Sequence, residues 1–149
     1  MPQKGGTIYK TAREFAGLTQ ERASVALHLS VRSLAAYETG ERIPADDVVV
    51  GMVDCYNYPL LAVQHLRQTS TLARNIVPEL EERSMLEASI RIYNRLRRFA
   101  ESSNLTRLID IAEDGCVDES EQAEFDHIMS DLREIIQSGL ELQVYCRKK

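Results

Sequence analysis

Two breaks set close together constrain this chain more than any other feature. Gly17 interrupts one helical run, and the stretch from Gly40 to Pro44 interrupts another. Between them lie two short apolar-periodic segments, separated by a turn that ends at Ser30. Ser30 has the character of an N-cap, because its hydroxyl can satisfy a free amide at the start of the following helix. The pattern therefore reads as two short helices joined by a tight turn.

The rest of the chain continues in the same style. Strand signals are nearly absent, and helices are expected over residues 9–16, 20–27, 31–39, 45–56 and 60–69. Gly17, the turn before Ser30, the Gly40 to Pro44 stretch and the Asn57 to Pro59 stretch mark the boundaries. A connector is expected over 69–78, followed by a long amphipathic helix over 79–102. That helix carries Leu86, Ile90, Tyr93, Leu96 and Ala100 at three- and four-residue steps. A shorter helix is expected over 105–114. The last, over 119–145, has Phe125, Ile128, Met129, Leu132, Ile135, Ile136 and Leu140 on one stripe. The fold class is all-α: a five-helix N-terminal bundle over residues 1–69 and a three-helix bundle over 70–149. The second bundle is close to the size at which a single core gives little stability. Its helices are accordingly expected to supply a dimerisation or partner surface. Ile92, Ile111 and Leu142 fall off the main stripes and suggest either a further apolar face that serves as a subunit interface or scattered surface apolar residues.

Composition excludes several classes. The chain has 149 residues, 44% hydrophobic and 28% charged, as in ordinary soluble globular proteins. No stretch approaches the roughly 18 uninterrupted apolar residues of a membrane span, and the first ten residues lack the apolar centre of a secretory signal. Cys55, Cys116 and Cys146 stand far apart, which suits a reducing cytoplasm better than a disulfide framework or zinc site. The net charge of −5 is unevenly spread. Residues 1–45 carry six basic and four acidic side chains, whereas residues from 70 onward carry 11 basic and 16 acidic ones. The first half is thus able to approach phosphate, with modest non-specific affinity.

Within residues 8–66, Arg13, Gly17-Leu18-Thr19-Gln20, Ser30, Leu34, Tyr37-Glu38, Gly40, Arg42 and Pro44 stand at characteristic spacing. In this set the chain resembles the lambda-repressor-like, Cro-type helix-turn-helix regulators, also called the xenobiotic-response-element-like family. The resemblance implies double-stranded operator DNA as partner, and the thin second core leads to the expectation of a homodimer. The resemblance also implies base contacts by Val31 and Ala36 and a phosphate contact by Gln20. Arg13 and Glu38 match a structural ion pair that ties the first helix to the reading helix.

The residues support this independently. Leu34, Tyr37 and Glu38 share one face of 31–39, while Arg32, Ala35, Ala36 and Thr39 share the opposite one. One long cation among small side chains suits a major groove about 12 Å wide. Arg32 is the leading base reader, through a bidentate contact to guanine, and Ser33 is a weaker candidate. Val31 and Ala36, being apolar, suit a thymine methyl. Thr19, Gln20, Ser30 and Arg42 are expected at backbone phosphates, which fix register without reading sequence. His28 stands where relatives usually have glycine, so a strained turn is expected. Ser24 stands where they often have alanine, and fits if its hydroxyl bonds back to its own helix.

Other clusters have plainer readings. Asp110, Asp114, Gly115, Val117, Asp118 and Glu121 fall at EF-hand loop positions, but Ala112 removes one direct oxygen ligand. The same residues read as a helix connector, with Gly115 ending one helix and Asp118 and Glu121 forming a capping box for the next. Arg91, Arg95, Arg97 and Arg98 read as a solvated helix face balanced by Glu87 and Glu101. No metal site, cofactor site or nucleophile–base pair is apparent, and an enzyme is not expected. The leading expectation is a cytoplasmic, prophage-like transcriptional repressor. The alternative is an antitoxin-type interaction protein whose C-terminal helices bind a protein partner while the helix-turn-helix autoregulates.

Overall fold

The computed structural model describes residues 7–145. The chain divides into two compact helical units, one running to Glu79 and the other from Leu80, and the described residues contain no strand.

The first unit comprises α1 (Ile8–Phe15), α2 (Gln20–Ala26), α3 (Val31–Thr39), α4 (Asp46–Tyr56), α5 (Leu60–Thr69) and α6 (Thr71–Ile76). Its breaks follow local chemistry. The Thr19 hydroxyl accepts from the Arg22 amide, and Ser30 accepts from the Ser33 amide at 3.0 Å, so both α2 and α3 begin on a capped turn. Gly40 ends α3 in the left-handed conformation, with φ +79°. Helix α1 packs on α3, α4 and α5, while α2 packs on α3. Leu34, Met52 and Leu61 are fully buried, joined in the interior by Tyr9, Ala12, Ala23, Val49 and Tyr56.

Helix α6 falls where a connector was expected. The Ser70 hydroxyl caps it by accepting from the Ala73 amide at 3.1 Å. The Arg67 guanidinium, in the last turn of α5, donates to the carbonyls of Arg74 and Val77. These bonds hold α6 against α5, so the segment after residue 69 lies with the first unit and the division comes ten residues later.

The second unit comprises α7 (Met85–Glu101), α8 (Asn104–Ile111) and α9 (Gln122–Tyr145). Helix α7 starts six residues later than expected. Ser84 and Glu87 form a reciprocal capping box there, while Leu80, ahead of the cap, is buried. Phe99, Ile111 and Ile128 form the core, with Leu108, Phe125, Leu132 and Ile135 packed against it.

The direction of α7 reverses the expectation. Leu86, Ile90, Tyr93 and Leu96 are 70%, 51%, 65% and 48% exposed. Ala88 and Phe99 are buried instead, and Ile92 approaches Gly139 of α9. Ile111, also off the expected stripes, lies inside the core. The physical reason is that α7 has two apolar faces. Ala88, Ile92 and Phe99 lie about 200° around the axis from Ile90 and its neighbours, and α9 packs on the former.

The arginine cluster is split in the same way. Arg95 is largely covered, donates to the Glu134 carbonyl at 2.6 Å and to the Ser138 hydroxyl, and pairs with the Glu134 carboxylate at 3.2 Å. Burial lowers its pKa, the like charge of Arg91 adding to the effect. Arg97 and Arg98 are exposed. The expectation of one solvated basic face therefore holds for these two and fails for Arg95, which is a tie between α7 and α9.

Between α8 and α9, Gly115 has φ +76°. Asp118 Oδ1 accepts from the Ser120 and Glu121 amides at 2.7 and 3.0 Å, and Glu121 Oε2 accepts from the Asp118 amide at 3.1 Å. The Ser120 hydroxyl bond, with the two amides, holds the Asp118 carboxyl below its usual range. Asp118 and Glu121 of the EF-hand-like segment thus serve as a helix cap. Among the described residues no group of three or more His, Cys, Asp or Glu side chains is placed to hold a metal ion.

Candidate nucleic-acid interface

Helix α3 is held from behind. Its buried face presents Leu34, Tyr37 and Glu38. Glu38 receives two parallel bonds from Arg13 of α1, from Nε at 2.6 Å and from Nη2 at 2.9 Å. Arg13 also donates through Nη1 to the Leu18 carbonyl at 2.6 Å, which fixes the turn before α2. Both residues are buried, at 7% and 3% exposure. Burial pushes the Glu38 carboxyl up, but the hydrogen bonds from Arg13 and Gln20 outweigh it and leave it below the usual range. The same bond raises Arg13 above its ordinary value. The pair is a charged clamp between α1 and α3.

A second fastening closes the far end of α3. The Thr7 hydroxyl lies 3.1 Å from the Tyr37 carbonyl and 3.2 Å from that of Glu38. The Arg42 amide returns to the Ala36 carbonyl at 3.1 Å, satisfying a helix-end acceptor. No spacing in the sequence singles out Thr7 for this. Further back, the Tyr9 hydroxyl and His65 Nδ1 are 2.8 Å apart, and His65 Nε2 is 3.0 Å from Asp46 Oδ1. That chain joins α1, α5 and the start of α4 through residues widely separated in sequence.

The front of α3 is open. Val31, Arg32 and Thr39 are exposed, and Ser33, Ala35 and Ala36 are half-buried. Ser30 and Ser33 place their hydroxyls 2.9 Å apart at the helix start, so both are tied to the cap. Arg42 is exposed, with its guanidinium 5.8 Å from the centre of the Tyr37 ring, near enough for a cation–π contact that orients it. Thr19 caps α2. Gln20, read from sequence as a phosphate contact, directs Nε2 to Glu38 Oε2 at 2.9 Å. Its amide retains a second N–H.

The turn between α2 and α3 passes through His28 in the left-handed region, with φ +54°, and this residue is exposed. Ser24, buried at the helix crossing, donates its hydroxyl to the Glu21 carbonyl at 2.9 Å. Both departures from the usual residue types are thus accommodated locally, one by backbone strain and one by a bond to its own helix.

No curated protein and no solved structure matches the chain. No helix among the described residues is long and apolar enough to cross a membrane. Residues 10–66 match the family model described as a helix-turn-helix domain. This span takes in the clamp, both caps and all of α2 and α3, so the chain carries a helix-turn-helix domain and is supported as a DNA-binding regulator.

Proposed function

We propose that the chain is a cytoplasmic transcriptional regulator of the Cro-like type, a repressor that binds an inverted-repeat operator as a homodimer. One observation carries the reading: α3 shows solvent a face of Arg32, Ala35, Ala36 and Thr39, while a buried ion pair grips its opposite face. A helix so presented fits the major groove, with Arg32 reading guanine and Val31, Ser33 and Ala36 reaching neighbouring base edges. Thr19, Gln20, Ser30 and Arg42 flank that helix and serve the phosphates on either side. Two-fold pairing then sets half-site centres about 10 bp apart.

Selection of bound fragments from random DNA by the purified chain tests binding, symmetry and spacing together. An inverted repeat with that spacing is expected. Recovery of no enriched sequence overturns the proposal. A reporter carrying the selected site upstream then reads the sign of regulation, and repression is expected.

A further inference from the structure

Helix α7 leaves its second apolar face uncovered. Leu86, Ile90, Tyr93 and Leu96 recur at three- and four-residue steps, each about half exposed or more, with Ala100 exposed in line beyond them. The helix has 17 residues, about 25 Å of length. A contiguous apolar strip of a few hundred Å² on an otherwise polar surface marks an interaction site.

Charge selects the occupant. The exposed acids Glu82 and Glu87 lie at the amino end of this strip, and the exposed cations Arg97 and Arg98 at its carboxyl end. Arg97 shares Glu101 at 3.9 Å on its own helix, a weak exposed pair. A strip that is acidic at one end, apolar in the middle and basic at the other is its own complement when turned end for end. A parallel pairing sets acid on acid and arginine on arginine, which electrostatics disfavours.

We propose that a second copy of this chain covers the strip, its α7 lying antiparallel on the first about a two-fold axis near Tyr93. In that arrangement Leu86 comes opposite the small Ala100 of the copy, and Ile90 opposite Leu96. Arg97 and Arg98 approach the acidic end of the other helix. The contact is isologous, so it closes at two subunits. This rests on the dimer reading above and assigns it a surface, but its test reads self-association without DNA.

Sedimentation of the full chain, without DNA, is the first measurement. A dimer is expected at micromolar concentration. Ile90→Glu, at an exposed position, is expected to weaken it at least tenfold with unchanged helical circular dichroism, as is Arg97→Glu with Arg98→Glu. In a chain with Cys55, Cys116 and Cys146 replaced by serine, Tyr93→Cys is expected to cross-link between copies under mild oxidation. Leu86→Cys alone is not, because antiparallel pairing sets the two Leu86 positions far apart. A monomer at 100 µM or more (about a hundredfold above the range expected) overturns the proposal. So does a dimer indifferent to Ile90→Glu, or preferential cross-linking at position 86. Should the DNA reading alone fail, these results stand and only the selection experiment is blank.

Discussion

Gln20 and Glu38 are joined where α2 meets α3, the Gln20 amide donating to the same carboxylate that Arg13 grips from the other side. A residue at the start of α2 therefore shares in holding α3. Gln20→Ala is expected to weaken binding to all DNA sequences alike and also to lower stability by about 1.5–3 kcal/mol, the net worth of one hydrogen bond to a charged group. Binding isotherms on matched and mismatched sites, paired with urea unfolding, separate the two effects. A change of preference between sites runs against the assignment.

The clamp itself is expected to be costly to break by halves. Arg13→Met strands a buried carboxylate and lowers stability by about 3–5 kcal/mol. The double variant Arg13→Met with Glu38→Leu restores most of that loss, since neither charge is then left alone. Urea unfolding followed by circular dichroism reads both, and a double variant no better than the single one contradicts the account.

Acid should loosen the first unit through the same residue. The folded-state pKa of Glu38 lies below its ordinary value of 4.5. Its contribution is therefore complete above about pH 4.5 and is lost as pH falls from there through the lowered folded value. The urea midpoint is expected to drop more steeply over this range in the natural chain than in Glu38→Gln. Equal slopes would dismiss Glu38 as the responsible group.

How much of this was legible beforehand differs between the two units. In the first, caps and glycines are local signals, so Thr19, Ser30, Gly17 and Gly40 place α1 to α3 within a residue or so. In the second, periodicity found the helices but chose the wrong face of α7. A three- and four-residue step identifies an apolar stripe; it does not say which of two such stripes a neighbour will cover. The late start of α7 was readable, because Ser84 and Glu87 stand at capping-box spacing. The Thr7 bonds and the Tyr9–His65–Asp46 chain were not, since they join residues 19 to 56 positions apart.

His28 offers a test of strain. A non-glycine residue in the left-handed region costs about 1–3 kcal/mol, partly offset by the freedom glycine gives the unfolded chain. His28→Gly is expected to raise stability by about 0.5–1 kcal/mol, seen as a thermal midpoint a few degrees higher. A lower midpoint indicates that the imidazole makes a compensating contact.

On DNA, the two kinds of arginine should part company. Arg32→Ala is expected to relax discrimination at one base pair by about 1–3 kcal/mol. Arg42→Ala is expected to reduce affinity for every sequence and to flatten its salt dependence. Quantitative gel shifts across single-base operator variants at two salt concentrations decide it. An unchanged preference after Arg32→Ala misplaces the reading face.

Fastening α3 at its back and at its two ends, and not across its front, has a practical corollary. Exchanging positions 32, 35, 36 and 39 as a set is expected to leave the bonds among Arg13, Gln20 and Glu38 in place, so that on the proposed reading the small domain is a chassis whose target changes while its frame stays intact.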